Sequence, residues 1–269
     1  MLQDVTRHPR KENNIMKRHK IISYKNLLTM ELEVEPIIEG LLDRCESLLI
    51  CGAAGIGKSI LTTNLALYLA CPKISSSLLS VEEAPLLFDY WQVPKPTKTL
   101  FLQSENSARA TKARIEKMIA GNPLFLEGVD LITTPIDRNN EILIRGAFTT
   151  DAFRDDVIAL IKESKADVVF IDPLISFHEG NENDNGQMRT CLDVVTEISV
   201  QTRVATVVVH HVGKSKKSKD IFAARGASAI GDWAHNIMVA TALLGVKGKM
   251  PPSLKMVSMP KKFVHFLPE

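Results

Sequence analysis

The sequence predicts an α/β fold in which a mostly parallel β-sheet is flanked by helices on both faces. Apolar runs recur at 47–51, 100–102, 129–132, 168–171 and 204–209, and they are continuous rather than alternating, as strands buried on both faces are. Helical patterns separate them at 108–120, 151–164 and 187–202, and such strand–helix–strand repetition implies crossovers within one sheet. The first strand runs into a glycine-rich turn, GAAGIGKS at 52–59, that opens a helix over 58–69. No repeat or low-complexity block interrupts the pattern.

The turn after the first strand has the G-x-x-x-x-G-K-[ST] spacing, filled by Gly52, Gly57, Lys58 and Ser59. Glycines let the backbone curl so that its N–H groups face a phosphate, and the helix N-terminus adds positive potential. Lys58 then reaches the outer phosphates and Ser59 can ligate magnesium. A tight structural turn would need neither the lysine nor the hydroxyl. The segment is read as a P-loop, with Gly52, Ala53, Ala54, Gly55, Ile56, Gly57, Lys58, Ser59 and Ile60 around a nucleoside triphosphate.

Residues 72–96, with serines at Ser75, Ser76 and Ser77 and the run Pro94-Lys95-Pro96, read as a surface connection. The second strand leads to Glu105. A carboxylate there can orient or deprotonate an attacking water, or it is a first-turn acid of the next helix, for which Ser104 and Ser107 are cap candidates. Asp172 ends the strand VVFI, the position of a Walker B acid that holds magnesium or its water, although an Asp before a proline turn is a common strand end. His210 and His211 close the next strand, as γ-phosphate sensors or as satisfied edge histidines. Lys214, Lys216, Lys217 and Lys219 follow in a segment with no apolar face, which suits a phosphate backbone or plain solvent.

The composition is ordinary for a globular chain. At 269 residues, 45% hydrophobic and 24% charged, with a net charge of +2, nothing global argues for nucleic acid or membrane. No stretch is long enough to span a bilayer. Cys45, Cys51, Cys71 and Cys191 show no C-x-x-C pairing, which argues against zinc and fits a reducing cytoplasm. Residues 1–35 form a basic N-terminal extension, expected to be flexible, that carries Arg7, Arg10, Lys11, Lys17, Arg18 and Lys20 but no apolar core of a secretory signal. It reads as a solvated tail or a nucleic-acid-binding arm, with Met16 an alternative start. Residues 36–269 are expected to be a single domain, and the abrupt end at Glu269 raises truncation at the C-terminal side.

The P-loop, Glu105, FIDPLISFHEGNENDN around Asp172, VVVHH and AARGASAIGDWAHNI together resemble the RepA-type hexameric replicative helicases of plasmids and phages, within the RecA-like P-loop ATPases. The resemblance covers residues 36–244, and its most specific part is the histidine pair, a polar loop and RGASAI. It implies a RecA-like core, ATP and Mg2+, a homo-oligomeric ring with sites between subunits, and translocation on single-stranded DNA. Carried over, Lys58 and Ser59 contact nucleotide and magnesium, Asp172 is the Walker B acid, Glu105 the catalytic carboxylate and His211 the sensor. Arg225 touches nucleotide or DNA, and a finger reaching a neighbour's site would come from Arg225, Lys261 or Lys262. The loops after the third and fourth strands of the core would face the ring axis. The lysine loop and the 181–186 loop would then flank the DNA, the acidic Glu179, Glu182 and Asp184 making the latter a poor phosphate binder, and stacking aromatics are scarce there, with Phe177 and Phe222 the only nearby candidates. A RecA-like loader or switch that hydrolyses slowly, and a DNA-binding replication accessory, are the competing readings.

Overall fold

The computed structural model describes residues 22–31, 33–71, 87–88, 90–122, 125, 131–132, 144–182, 184–211, 228–242 and 254–260. Contacts divide the chain into two units, Met1–Glu33 and Val34–Glu269. In the first, helix α1 (Tyr24–Thr29) starts at Ser23, whose side chain accepts from the Asn26 N–H, and none of its residues is buried.

The second unit is built on a seven-stranded sheet. Its strands are β3 (Ser47–Gly52), β4 (Thr99–Leu102), β5 (Leu131–Ile132), β6 (Val168–Ile171), β7 (Ala205–His211), β8 (Asn236–Ala242) and β9 (Leu254–Pro260), in the order β5-β4-β6-β7-β3-β8-β9. Pairing is parallel from β5 through β8, and only β9 joins antiparallel. A small antiparallel ribbon, β1 (Pro36–Ile38) and β2 (Leu42–Asp43), precedes it. This is the α/β architecture the apolar runs predict. β7 extends to His211, two residues past the apolar run, and β8 and β9 lie beyond the predicted strands.

Every residue of β3, β4 and β6 is buried, which is why these runs do not alternate. Successive side chains still point to opposite faces. Leu49, Cys51, Val169, Ile171 and Val208 pack against α4 (Asp151–Ser164) and α5 (Asn185–Thr202), together with Ile230 and Ala234. Leu48, Ile50, Phe170 and Val207 pack against α2 (Lys58–Ala70) and the β1–β2 ribbon. Helix α3 (Ala108–Gly121) and the short α6 (Ser228–Trp233) complete the described α-helices, and a 3-10 turn spans Leu174–Phe177. Among the described residues no helix is long and apolar enough to cross a membrane, and the four cysteines are free thiols.

The two ends of the sheet differ in chemistry. At the amino ends of the strands, Arg44 bonds Glu35 at 2.7 Å, Asp167 at 2.8 Å and the Arg203 carbonyl at 2.8 Å, and Arg203 also reaches Glu35. This is a staple between the ribbon, β6 and the end of α5. At the carboxyl ends lie the P-loop, residues 103–106, Asp172 and the histidine pair. Because β7 sits between β6 and β3, Gly52 pairs with His211 in register.

His210 points away from its neighbour and is only 4% exposed. Burial first, then the adjacent His211 and Lys58, push its pKa down to about 4. A histidine held neutral in the fold contributes stability that is full above its unfolded pKa and is lost as pH falls toward its folded one. From pH 7 to pH 5 wild type should therefore lose about 2 kcal/mol more stability than His210→Gln. Urea unfolding of both proteins at the two pH values measures this, and equal losses would refute it.

Candidate active site

The P-loop is shaped by two backbone demands. Gly55 and Gly57 have φ of 74° and 100°, in the left-handed region that side chains rarely occupy, and Gly57 is the residue from which α2 starts. Gly52 is required for a different reason: a Cβ there would lie 2.5 Å from the Ala240 carbonyl oxygen of β8. Ala53, Ala54 and Gly55 are exposed at the mouth, Ile56 and Ser59 are half-buried, and Ile60 projects outward.

Lys58 folds back beneath this loop and is 3% exposed. Its ammonium donates to the Gly52 carbonyl at 2.7 Å, to the Ala53 carbonyl at 2.9 Å and to His211 Nδ1 at 2.9 Å. Three donors thus meet three acceptors. Burial lowers the Lys58 pKa, against the opposing pull of Asp172, Cys51 and Glu105. Cys51, whose thiol burial pushes up to about 11, serves as core.

Asp172 follows β6, its N–H bonded to the Leu102 carbonyl at 3.0 Å, and is 4% exposed. Burial raises its pKa; the hydroxyls of Ser59 and Thr62 hydrogen-bond it and pull the other way, the Glu105 charge raises it and Arg114 lowers it. Ser59 and Asp172 are therefore brought together, a hydroxyl and a carboxylate of the hard-oxygen kind that suits magnesium. Among the described residues no group of three or more His, Cys, Asp or Glu could hold a metal. Two protein oxygens match an ion that keeps its waters and takes substrate phosphates as ligands.

Glu105 lies in a turn locked by Gln103. The Gln103 side chain donates to the Asn106 carbonyl at 3.1 Å and Thr111 Oγ1 at 3.2 Å, and accepts from the Asn106 N–H at 2.9 Å. Helix α3 begins after Ser107, which caps it by accepting from the Ala110 N–H. Its first turn contains no acid, so Glu105 is not a first-turn residue. Glu105 is exposed, and its charge acts on both Lys58 and Asp172.

The fold thus gathers Lys58, Ser59, Asp172 and His211, with Glu105 within electrostatic reach. Phe177 is a correction to the expected stacking residues: it is fully buried among Phe148 and Phe153, with ring centroids 5.9 and 5.7 Å away, and presents no face to a base. Asp184 caps α5, accepting from Gly186 and Gln187 N–H at 2.8 and 3.1 Å. Lys214, Lys216, Lys217, Lys219, Phe222, Arg225, Lys261 and Lys262 lie outside the described residues. Thr62, Gln103 and Arg114 were not singled out by motif. Only Thr62 carried a signal, its spacing of three and four from Ser59 and Lys58, which puts all three on one helix face.

Residues 24–217 match the family described as an AAA domain. No curated protein matches the chain. Among solved structures, it is similar to the crystal structure of a KaiC-like protein from the hyperthermophilic archaeon Pyrococcus horikoshii, with 14% identity and a TM-score of 0.48 over 85% of this chain and 83% of that one.

Proposed function

From the premise that the chain belongs to the AAA domain family of P-loop ATPases, we propose that it is a cytoplasmic, RecA-like, ring-forming motor, a replicative DNA helicase that translocates on single-stranded DNA. The observation that carries this reading is the 2.9 Å bond between Lys58 Nζ and His211 Nδ1. It joins the phosphate-binding lysine to the end of β7, the strand that runs directly into the lysine-rich segment 212–220. A triphosphate competing for Lys58 would displace His211, so the nucleotide state reaches the segment expected to touch DNA.

In this reading the P-loop N–H groups and Lys58 hold the outer phosphates, with Lys58 exchanging its His211 contact for a phosphate oxygen. Ser59 and Asp172 would hold Mg2+, which would supply neutralisation of the phosphate charge. Glu105 orients and deprotonates the attacking water. His211, once released, can donate to the γ-phosphate and return when that group leaves. A neighbouring copy completes the site with Arg225, Lys261 or Lys262.

The test is the ATPase rate with and without single-stranded DNA, with particle mass measured in the presence of nucleotide. Stimulation by DNA from a multimer of ring size supports the motor. Slow turnover from a monomer, indifferent to DNA, would replace it with the loader or switch. Neutralising Lys214, Lys216, Lys217 and Lys219 together should weaken DNA binding and flatten the log–log salt slope by about 0.7 per lost phosphate contact, with basal turnover retained. An unchanged slope would return that segment to solvent.

A further inference from the structure

Thr62 is a buried hydroxyl aimed at a buried carboxylate. It sits in the second turn of α2 at 0% exposure. Its Oγ1 lies 3.1 Å from Asp172 Oδ2, 3.1 Å from the Lys58 carbonyl and 3.3 Å from the Ser59 carbonyl. One hydroxyl has one proton, so these acceptors compete. The two carbonyls belong to the helix, where backbone N–H groups serve them, whereas the carboxylate only accepts and has about four lone-pair sites to satisfy. A hydrogen bond to a carboxylate is also roughly twice as strong as one to a neutral oxygen. The proton therefore goes to Asp172. The next residue shows the alternative: Thr63 Oγ1 makes the ordinary back-bond to the Ser59 carbonyl at 2.7 Å.

We propose that Thr62 is a positioning residue that pins Asp172 through Oδ2 and leaves the other carboxylate oxygen turned toward Ser59 and a divalent cation. This deepens the ATPase reading and rests on it. Lys58 cannot do the same task, because it is spent on Gly52, Ala53 and His211, and Ser59, which also hydrogen-bonds Asp172, would turn its oxygen to the cation once one binds. Asp172 thus takes hydrogen bonds from two residues of α2, Thr62 and Ser59, and of these only Thr62 would keep its bond once Ser59 turns to a cation.

The test uses the full chain with ADP and Mn2+ as the probe, read by electron paramagnetic resonance, beside ADP affinity in EDTA and steady-state ATPase. Thr62→Val keeps the shape and removes the hydroxyl. It should weaken Mn2+ binding to the ADP complex and lower kcat by about 10- to 100-fold, the usual cost of losing a group that orients a ligand. ADP affinity in EDTA and the urea midpoint should stay near wild type. Thr62→Ser, which retains the hydroxyl, should restore Mn2+ binding. In an Asp172→Asn background Thr62→Val should add nothing, because the two residues act as one unit. Should Thr62→Val fail to unfold cooperatively, Thr62→Ala takes its place. Wild-type Mn2+ affinity in Thr62→Val, or additive losses in the double variant, would overturn the assignment. A wild-type chain that binds ADP neither with nor without Mn2+ would overturn the ATPase reading beneath it, a result distinct from either of those.

Discussion

Lys58→Ala should abolish ATP hydrolysis and weaken triphosphate binding by at least tenfold. A charge-assisted bond to phosphate contributes about 1.5–3 kcal/mol, or roughly 10- to 150-fold in affinity, and Lys58 would make more than one. The structure adds a second effect. Lys58 also pins the loop, so its removal leaves the Gly52 and Ala53 carbonyls and His211 Nδ1 without their donor. The loop should loosen while the core, formed by β3, β6 and β7 with α4 and α5, persists. Fluorescent-nucleotide titration, ATPase assays and near-UV circular dichroism measure the three quantities. Turnover close to wild type would sink the assignment of this loop to phosphate.

Glu105→Gln should separate binding from chemistry. The amide preserves shape but cannot take a proton, and loss of a general base costs typically 10²–10⁴-fold in rate. We expect kcat to fall by that order while ATP affinity holds, since Glu105 touches neither the P-loop nor Lys58 among the described hydrogen bonds. The structure sharpens this expectation because Glu105 lies ahead of the Ser107 cap and outside the first turn of α3. It is therefore not a first-turn acid of α3. Single-turnover hydrolysis beside equilibrium binding decides the matter, and unimpaired hydrolysis would reduce Glu105 to a surface residue of the 103–106 turn.

The two substitutions differ in how far sequence alone could take them. Lys58 was legible because its motif is local: strand, glycines, lysine and hydroxyl lie within a dozen residues, and each demand on the backbone is met by a neighbour in the chain. Asp172 was legible only beside that motif, since a strand-ending acid is otherwise ordinary. The helix boundary at Asp151–Ser164 and the strand Val168–Ile171 emerge as the pattern predicts, because burial period and turn chemistry act over a few residues. Glu105 had two readings at equal standing, and the position of the α3 cap removes only the first-turn acid, which leaves the catalytic one to the experiment above.

By itself, then, the sequence determined the α/β class, the P-loop, the strand ends that carry Asp172 and the histidines, and the chemistry these residues can offer. The tertiary structure alone decided which of them meet. Strand order is a matter of non-local pairing, and nothing near His211 in the chain reveals that β7 lies against β3 and brings its imidazole to Lys58. The same holds for Gly52, which the motif attributes to phosphate but which the approach of Ala240 on β8 also requires. Phe177 passes for a surface aromatic until the packing of Phe148 and Phe153 encloses it. Thr62 reads as one more helix residue until the end of β6 places a carboxylate 3.1 Å away. Propensity and periodicity are short-range, whereas contact between distant segments depends on how every layer packs at once.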